Sequence, residues 1–94
     1  MIRHIVCWKL KDTEDKSENI KRMRSELTAL VGKVDGLIEA EVGECFVGDW
    51  DAALCSLFES REALESYRTH PEHVKVQQFI HTILVQRSAA DYEI

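Results

Sequence analysis

The amino-acid sequence predicts an α+β fold of order β-α-β-β-α-β in one domain spanning residues 1–94. Three observations carry that expectation. Apolar residues alternate with a period of two in some stretches and recur near 3.6 in others, in the order given. Gly and Asp-Gly signals separate the stretches. The only proline, Pro71, splits the second helical segment without ending it.

Residues 2–11 read as the first strand. Ile2, His4, Val6, Trp8 and Leu10 share one parity, and Arg3, Ile5, Cys7, Lys9 and Lys11 the other. The second parity is apolar only in its middle, so the strand is expected to be covered centrally on both faces. Asp12 to Ser17 supply a turn and a cap. From Lys16 to Val31 the period is helical, with Ile20, Met23, Leu27, Leu30 and Val31 on one stripe. Gly32 stands where a helix stops, and Asp35-Gly36 marks a further turn. Leu37 to Val47 alternates again, with Ile38, Ala40 and Val42 opposite Glu39, Glu41 and Gly43. Val47-Gly48-Asp49-Trp50-Asp51 then reads as a hairpin connection into Ala52–Phe58, which is apolar on both parities and so belongs in the middle of a sheet.

Ser60 is a good N-cap for a short helix bearing Ala63, Leu64 and Tyr67. Proline biases the residue before it away from helical backbone and suits the first helical position, so the chain breaks at His70 and restarts at Pro71. His70 is read as a cap or lock of that turn. The second helical piece extends to about Val85 through Val76, Phe79, Ile80, Ile83 and Leu84, with His81 exposed, and Arg87–Ile94 forms a short last strand. This order is the ferredoxin-like split β-α-β arrangement: a four-stranded antiparallel sheet with both helices on one face. The face left bare is expected to be that of Ile2, Val6, Trp8 and Leu10. A second copy of the same sheet is its simplest cover, giving a homodimer.

Composition narrows the function. The net charge of −5 argues against nucleic acid as a partner, and the basic cluster Lys21, Arg22 and Arg24 is flanked by Glu18 and Glu26 as on a solvated helix face. No apolar run approaches the roughly 20 residues that span a bilayer, and Met1 to Ile5 does not resemble a signal peptide, so no membrane association and a cytoplasmic location are expected. Cys7, Cys45 and Cys55 read as small buried hydrophobes kept reduced. Neither a phosphate-binding glycine loop nor a metal-ligand cluster is present, so no cofactor and no metal are expected.

Arg3-His4-Ile5-Val6, Phe58-Glu59-Ser60, Tyr67-x-x-His70-Pro71-x-His73-Val74 and Asp91-Tyr92 together span nearly the whole chain. This pattern resembles the stress-responsive A/B barrel domain family of the dimeric α+β barrel superfamily. The resemblance implies a homodimer whose two sheets form a barrel, with a cavity in each protomer; the family's biochemical activity is mostly unassigned. One branch, the plant polyketide cyclases, is similar at His4, Tyr67 and His73. In that branch the histidine matching His73 acts as a base and the tyrosine matching Tyr67 holds the substrate. This chain departs from it in Ala52–Phe58, which lacks the histidine that the cyclases place there.

A neutral imidazole titrates near working pH and can take a proton from carbon beside a carbonyl. His73 is therefore the candidate base and Tyr67 the candidate donor to the enolate oxygen, against a structural reading in which His73 bonds a backbone carbonyl and fixes the bend. His4 is expected to face the cavity, with Trp8 shaping its wall, so that His4, Trp8, Tyr67 and His73 line one pocket. Two functions stand: a non-enzymatic dimer that binds a small apolar ligand or holds only a stress-related structural role, and a cofactor-free cyclase, isomerase or lyase, which a bound aromatic acid would favour. A cofactor-free monooxygenase, as found in other dimeric α+β barrels, is a third.

Overall fold

The computed structural model describes residues Met1–Ile94. In chain order its elements are β1 (Ile2–Leu10), α1 (Lys16–Thr28), β2 (Leu37–Glu44), β3 (Ala52–Phe58), α2 (Arg61–Thr69), α3 (Pro71–Ile83) and β4 (Leu84–Glu93). The strands form one antiparallel sheet of order β2-β3-β1-β4, the ferredoxin-like topology. β3 lies between β2 and β1, where a strand apolar on both parities is covered on both sides of its backbone ladder.

One face of the sheet carries the core. Ile2, His4, Val6, Trp8 and Leu10 of β1 and Ala52, Leu54, Ser56 and Phe58 of β3 are buried. They pack with Ile20, Met23 and Leu27 of α1, Leu64 and Tyr67 of α2, and Val76 and Ile80 of α3. The face left bare is therefore the opposite of the expected one. Its middle is Ile5, Cys7, Ala53, Cys55 and Leu57, with Arg3 and Lys9 at the ends of β1. The physical reason is that a face buried inside the protomer must be dry along its whole length, and only the parity of Ile2 to Leu10 meets that condition. Charged ends are tolerable on a face whose rim reaches water. Trp8 accordingly belongs to the protomer's own core.

The cysteines move with this correction. Cys7 and Cys45 are half-buried and Cys55 is exposed, so none is a fully buried hydrophobe within the protomer; all are free thiols. Val31 also leaves the core, being exposed just beyond a helix that ends at Thr28. In β2 the register skips Ile38 between Leu37 and Glu39, and this bulge breaks the simple alternation: Leu37, Ala40 and Val42 turn inward while Ile38 is exposed. The strand ends at Glu44 instead of Val47.

Gly36 shows why the turn before β2 needs glycine. Its φ is +85°, and a Cβ added there would stand 2.5 Å from the Ala63 Cβ of α2. The sharpest boundary change is at the other end of the chain. α3 stops at Ile83 and β4 begins at Leu84 without a loop, because Leu84 takes an extended ψ of 136°. Ile83-Leu84-Val85 is an apolar run that serves either period, and the pairing of Leu84 with Leu10 decides for the strand.

Candidate functional site

Four local features bring the site together. The Ser60 hydroxyl accepts from Ala63 N at 3.1 Å and starts α2, which runs to Thr69. His70 leaves helical backbone, and its Nδ1 accepts from Glu72 N at 3.1 Å, capping α3, with Pro71 in the first turn. The capping role read for His70 is thus the one it has. The break lets the last turn of α2 and the first turn of α3 present Tyr67 and His73 to each other, their rings stacked with centroids 3.8 Å apart. From below, His4 in mid-β1 meets Tyr67 edge-on at 6.2 Å. Ser56 Oγ, buried in the adjacent strand, donates to the His4 carbonyl and ties that part of β1 down.

His4, Tyr67 and His73 are all buried, and with Trp8 they line a single cavity of about 70 Å³ between the sheet and the helices. Val6, Leu54, Ile80 and Leu84 supply its apolar wall. Leu27 adds to that wall, and Arg68, Gln77, His81 and Arg87 complete the lining. Of these Arg68, His81 and Arg87 are exposed, so the mouth opens between the helices and the edge strand β4. His81 is as exposed as its sequence position suggests, but it belongs to this rim.

The electrostatics divide the polar groups. The His4 imidazole hydrogen-bonds the Asp91 carboxylate through Nδ1. An ionised carboxylate only accepts, so the ring's Nδ1 donates and, in the neutral tautomer, Nε2 is left with its lone pair. The second Asp91 oxygen accepts from Arg68 Nη2 at 3.3 Å. His73 differs. Burial pushes its pKa below the ordinary imidazole value; the carbonyls of Arg68 and Tyr67 oppose this, and His4 and Arg87 add to it. Its Nδ1 is buried with no hydrogen-bond partner. Burial also drives the Tyr67 hydroxyl far above the ordinary phenol range, with Arg87 opposing, so it stays protonated and able to donate. No group of three or more His, Cys, Asp or Glu side chains is placed to hold a metal ion.

Asp91, Arg68 and Arg87 were not singled out as site residues from the sequence. Asp91 reaches the site only because β4 pairs with β1 in a register that sets it opposite His4, and Arg87 opposite Trp8. A lone Asp-Tyr pair in a terminal strand carries no such signal until the register is known.

The fold and cavity define a class: a ferredoxin-like α+β protomer with a pocket between sheet and helices and one sheet face uncovered. The chain belongs to the stress responsive A/B barrel domain family, whose model matches residues 2–94. Among solved structures it is similar to a dimeric protein of unknown function from Bacteroides fragilis, at 31% identity over 99% of this chain and 95% of that one, with a TM-score of 0.91. A family member from Mesorhizobium loti is 23% identical, covers 99% and 95% of the two chains, and has a TM-score of 0.80. A hydroxynitrile lyase from Passiflora edulis is 16% identical over 99% and 92%, with a TM-score of 0.85; likenesses this remote carry the fold alone. No curated protein matches the sequence.

Proposed function

We propose that two copies pair through their bare sheet faces and that each protomer's cavity binds a small apolar or aromatic molecule. The observation that carries this reading is the convergence of His4, Trp8, Tyr67 and His73 on one cavity that has an apolar wall on one side and a polar rim at its mouth. Pairing is supported by the dimeric state of the Bacteroides fragilis relative and by the half-buried apolar strip of Ile5, Cys7, Ala53 and Leu57. Size limits the ligand. A water needs roughly 10–15 Å³ of such space, so about 70 Å³ holds on the order of five waters, or one ring or short alkyl chain. A multi-ring product would exceed it. Native mass spectrometry of the dimer with monocyclic and short-chain compounds tests the reading. One molecule per protomer is expected for the wild type, and none for Leu54→Phe, which fills the cavity from β3. A dimer that retains nothing, or a filled variant that still binds, would count against it.

A second reading is favoured by the state of the two imidazoles and the phenol. His73 is kept neutral by burial, with Nδ1 unpaired, and Tyr67 remains a donor at any ordinary pH. In this reading His73 takes a proton from carbon next to a carbonyl and Tyr67 donates to the developing enolate oxygen, without a cofactor. His4, oriented by Asp91, offers a second basic nitrogen in the same cavity. The Passiflora edulis hydroxynitrile lyase has the same fold, but at 16% identity it does not bring its reaction with it. Exchange of ligand C–H for deuterium in heavy water, followed by NMR, is the test. Exchange should be abolished by His73→Ala and slowed by Tyr67→Phe in variants that still bind. Binding with no exchange leaves the non-enzymatic function.

A further inference from the structure

The arginines of this chain are almost all committed. Arg3 pairs with Glu39, Arg22 with Glu26, Arg61 with Glu93, and Arg68 with Glu65 and Asp91. Arg24 donates to the Val42 carbonyl at 2.8 Å. Arg87 alone has neither a carboxylate nor a carbonyl partner, although acidic residues outnumber basic ones in the chain by 17 to 12. Its place is not random. It lies on the helix-facing side of β4, in register with Trp8, and lines the mouth of the cavity. The carboxylate nearest along that side of the strand is Asp91, whose two oxygens are already taken by His4 and Arg68. Ala89 stands between Arg87 and Asp91 on the same side and is too small to fill the gap.

Taking the cavity as a ligand site, as proposed above, we infer that Arg87 makes it selective for the anion of a small apolar acid. The carboxylate sits at the mouth on the guanidinium and the apolar body points inward against Trp8, Leu54 and Ile80. A guanidinium presents two parallel N–H donors that match a carboxylate, and this fork is lost in Lys. The wall of Val6, Trp8, Leu54 and Ile80 offers the opposite chemistry: an indole and aliphatic side chains that repay burial of a ring, while the full charge of a guanidinium stands at the mouth. The two ends of the cavity therefore fix which end of an amphipathic acid enters first. That the charge of Arg87 is felt at both Tyr67 and His73 agrees with its proximity to the interior.

The test compares benzoate with benzamide, two probes of nearly equal shape that differ in charge, by calorimetric titration of the full-length protein at fixed ionic strength. The wild type should prefer benzoate by about tenfold or more, the range of one charge-assisted, bidentate contact. Arg87→Gln should lower benzoate affinity far more than benzamide affinity and so abolish the preference, and Arg87→Lys should retain only part of it. Arg61→Gln removes the same charge at an exposed position away from the cavity lining and should leave the preference intact. Equal affinity for both probes in the wild type, or an undiminished preference in Arg87→Gln, would overturn the assignment of Arg87 while leaving the cavity a ligand site. Binding of neither probe to the wild type would overturn the ligand-site reading and the selectivity with it.

Discussion

Replacing His73 by Phe separates a functional imidazole from a structural one by the sign of a stability change. The phenyl ring keeps the stack on Tyr67, and the adjoining cavity gives its extra volume somewhere to go. What it removes is a buried Nδ1 with no partner. Leaving a polar group buried and unsatisfied costs about 1–3 kcal/mol, so its removal should stabilise the fold by about 1 kcal/mol or more. For a chain of this size that corresponds to a rise in Tm of roughly 4–8 °C per kcal/mol. The measurement is thermal unfolding above pH 7 at one fixed protein concentration, because self-association makes Tm depend on concentration. A fall in Tm would mean that the contacts of His73 with the carbonyls of Arg68 and Tyr67 outweigh the unpaired nitrogen, and the imidazole would then be a fastener of the bend.

The same variant carries a pH signature. The folded-state pKa of His73 lies below its unfolded value, so between the two the unfolded chain binds more protons. Stability must then rise with pH across that window and fall as pH drops below about 6.5, the ordinary imidazole value. His73→Phe should flatten this part of the profile. Carboxylates titrate lower and leave a separate loss that both proteins share. An unchanged slope between pH 7 and pH 5 would refute the argument that burial holds this ring neutral.

Other perturbations test the scaffold. Ile5→Asp, in the middle of the bare face, should leave a folded protomer but shift sedimentation from two-protomer to one-protomer mass, because pairing would bury an unpaired charge. Gly36→Ala forces a positive φ on a residue with a Cβ and presses that carbon against Ala63; urea unfolding should show a loss of about 2–4 kcal/mol, part of it recovered in Gly36→Ala/Ala63→Gly. Asp51 accepts from Leu10 N at 2.8 Å and lies 3.5 Å from Lys16 Nζ, closing the end of β1 where the ladder to β3 runs out. Asp51→Ala should cost about 1–3 kcal/mol in chemical denaturation, chiefly from the stranded amide.

How far the sequence could be read depended on whether a feature is local. The break at His70-Pro71, the Ser60 cap, the bounds of Ala52–Phe58 and the meeting of Tyr67 with His73 follow from φ limits, capping chemistry and periodicity over a few residues. The α3–β4 junction did not, because Ile83-Leu84-Val85 satisfies both periods and only the long-range pairing with Leu10 selects one. The choice of bare face failed for a related reason. Alternation in β1 defines two faces but does not say which one the helices cover; only the charged ends Arg3 and Lys9 distinguish the face whose rim reaches water. Asp91 and Arg87 lay furthest from view, since each becomes a site residue through an antiparallel register across more than 75 positions.

That register has a consequence for how the two sides of the sheet can change independently. β4 is an edge strand with alternating duties: Arg87, Ala89 and Asp91 lie on the helix-covered side, Arg87 at the cavity, while Gln86, Ser88, Ala90 and Tyr92 lie on the bare face. β1 divides in the same way, with His4 and Trp8 on one side and Ile5 and Cys7 on the other. A substitution on either strand therefore reaches either the helix-covered side or the bare face, and only a one-residue slip would exchange them. The Ser56 hydroxyl on the His4 carbonyl and the Asp51 carboxylate on the Leu10 amide supplement the ladder at two points along β1 and oppose such a slip. The residues around the pocket can thus vary along β4 while the bare face stays constant, so the two faces of one scaffold can change separately.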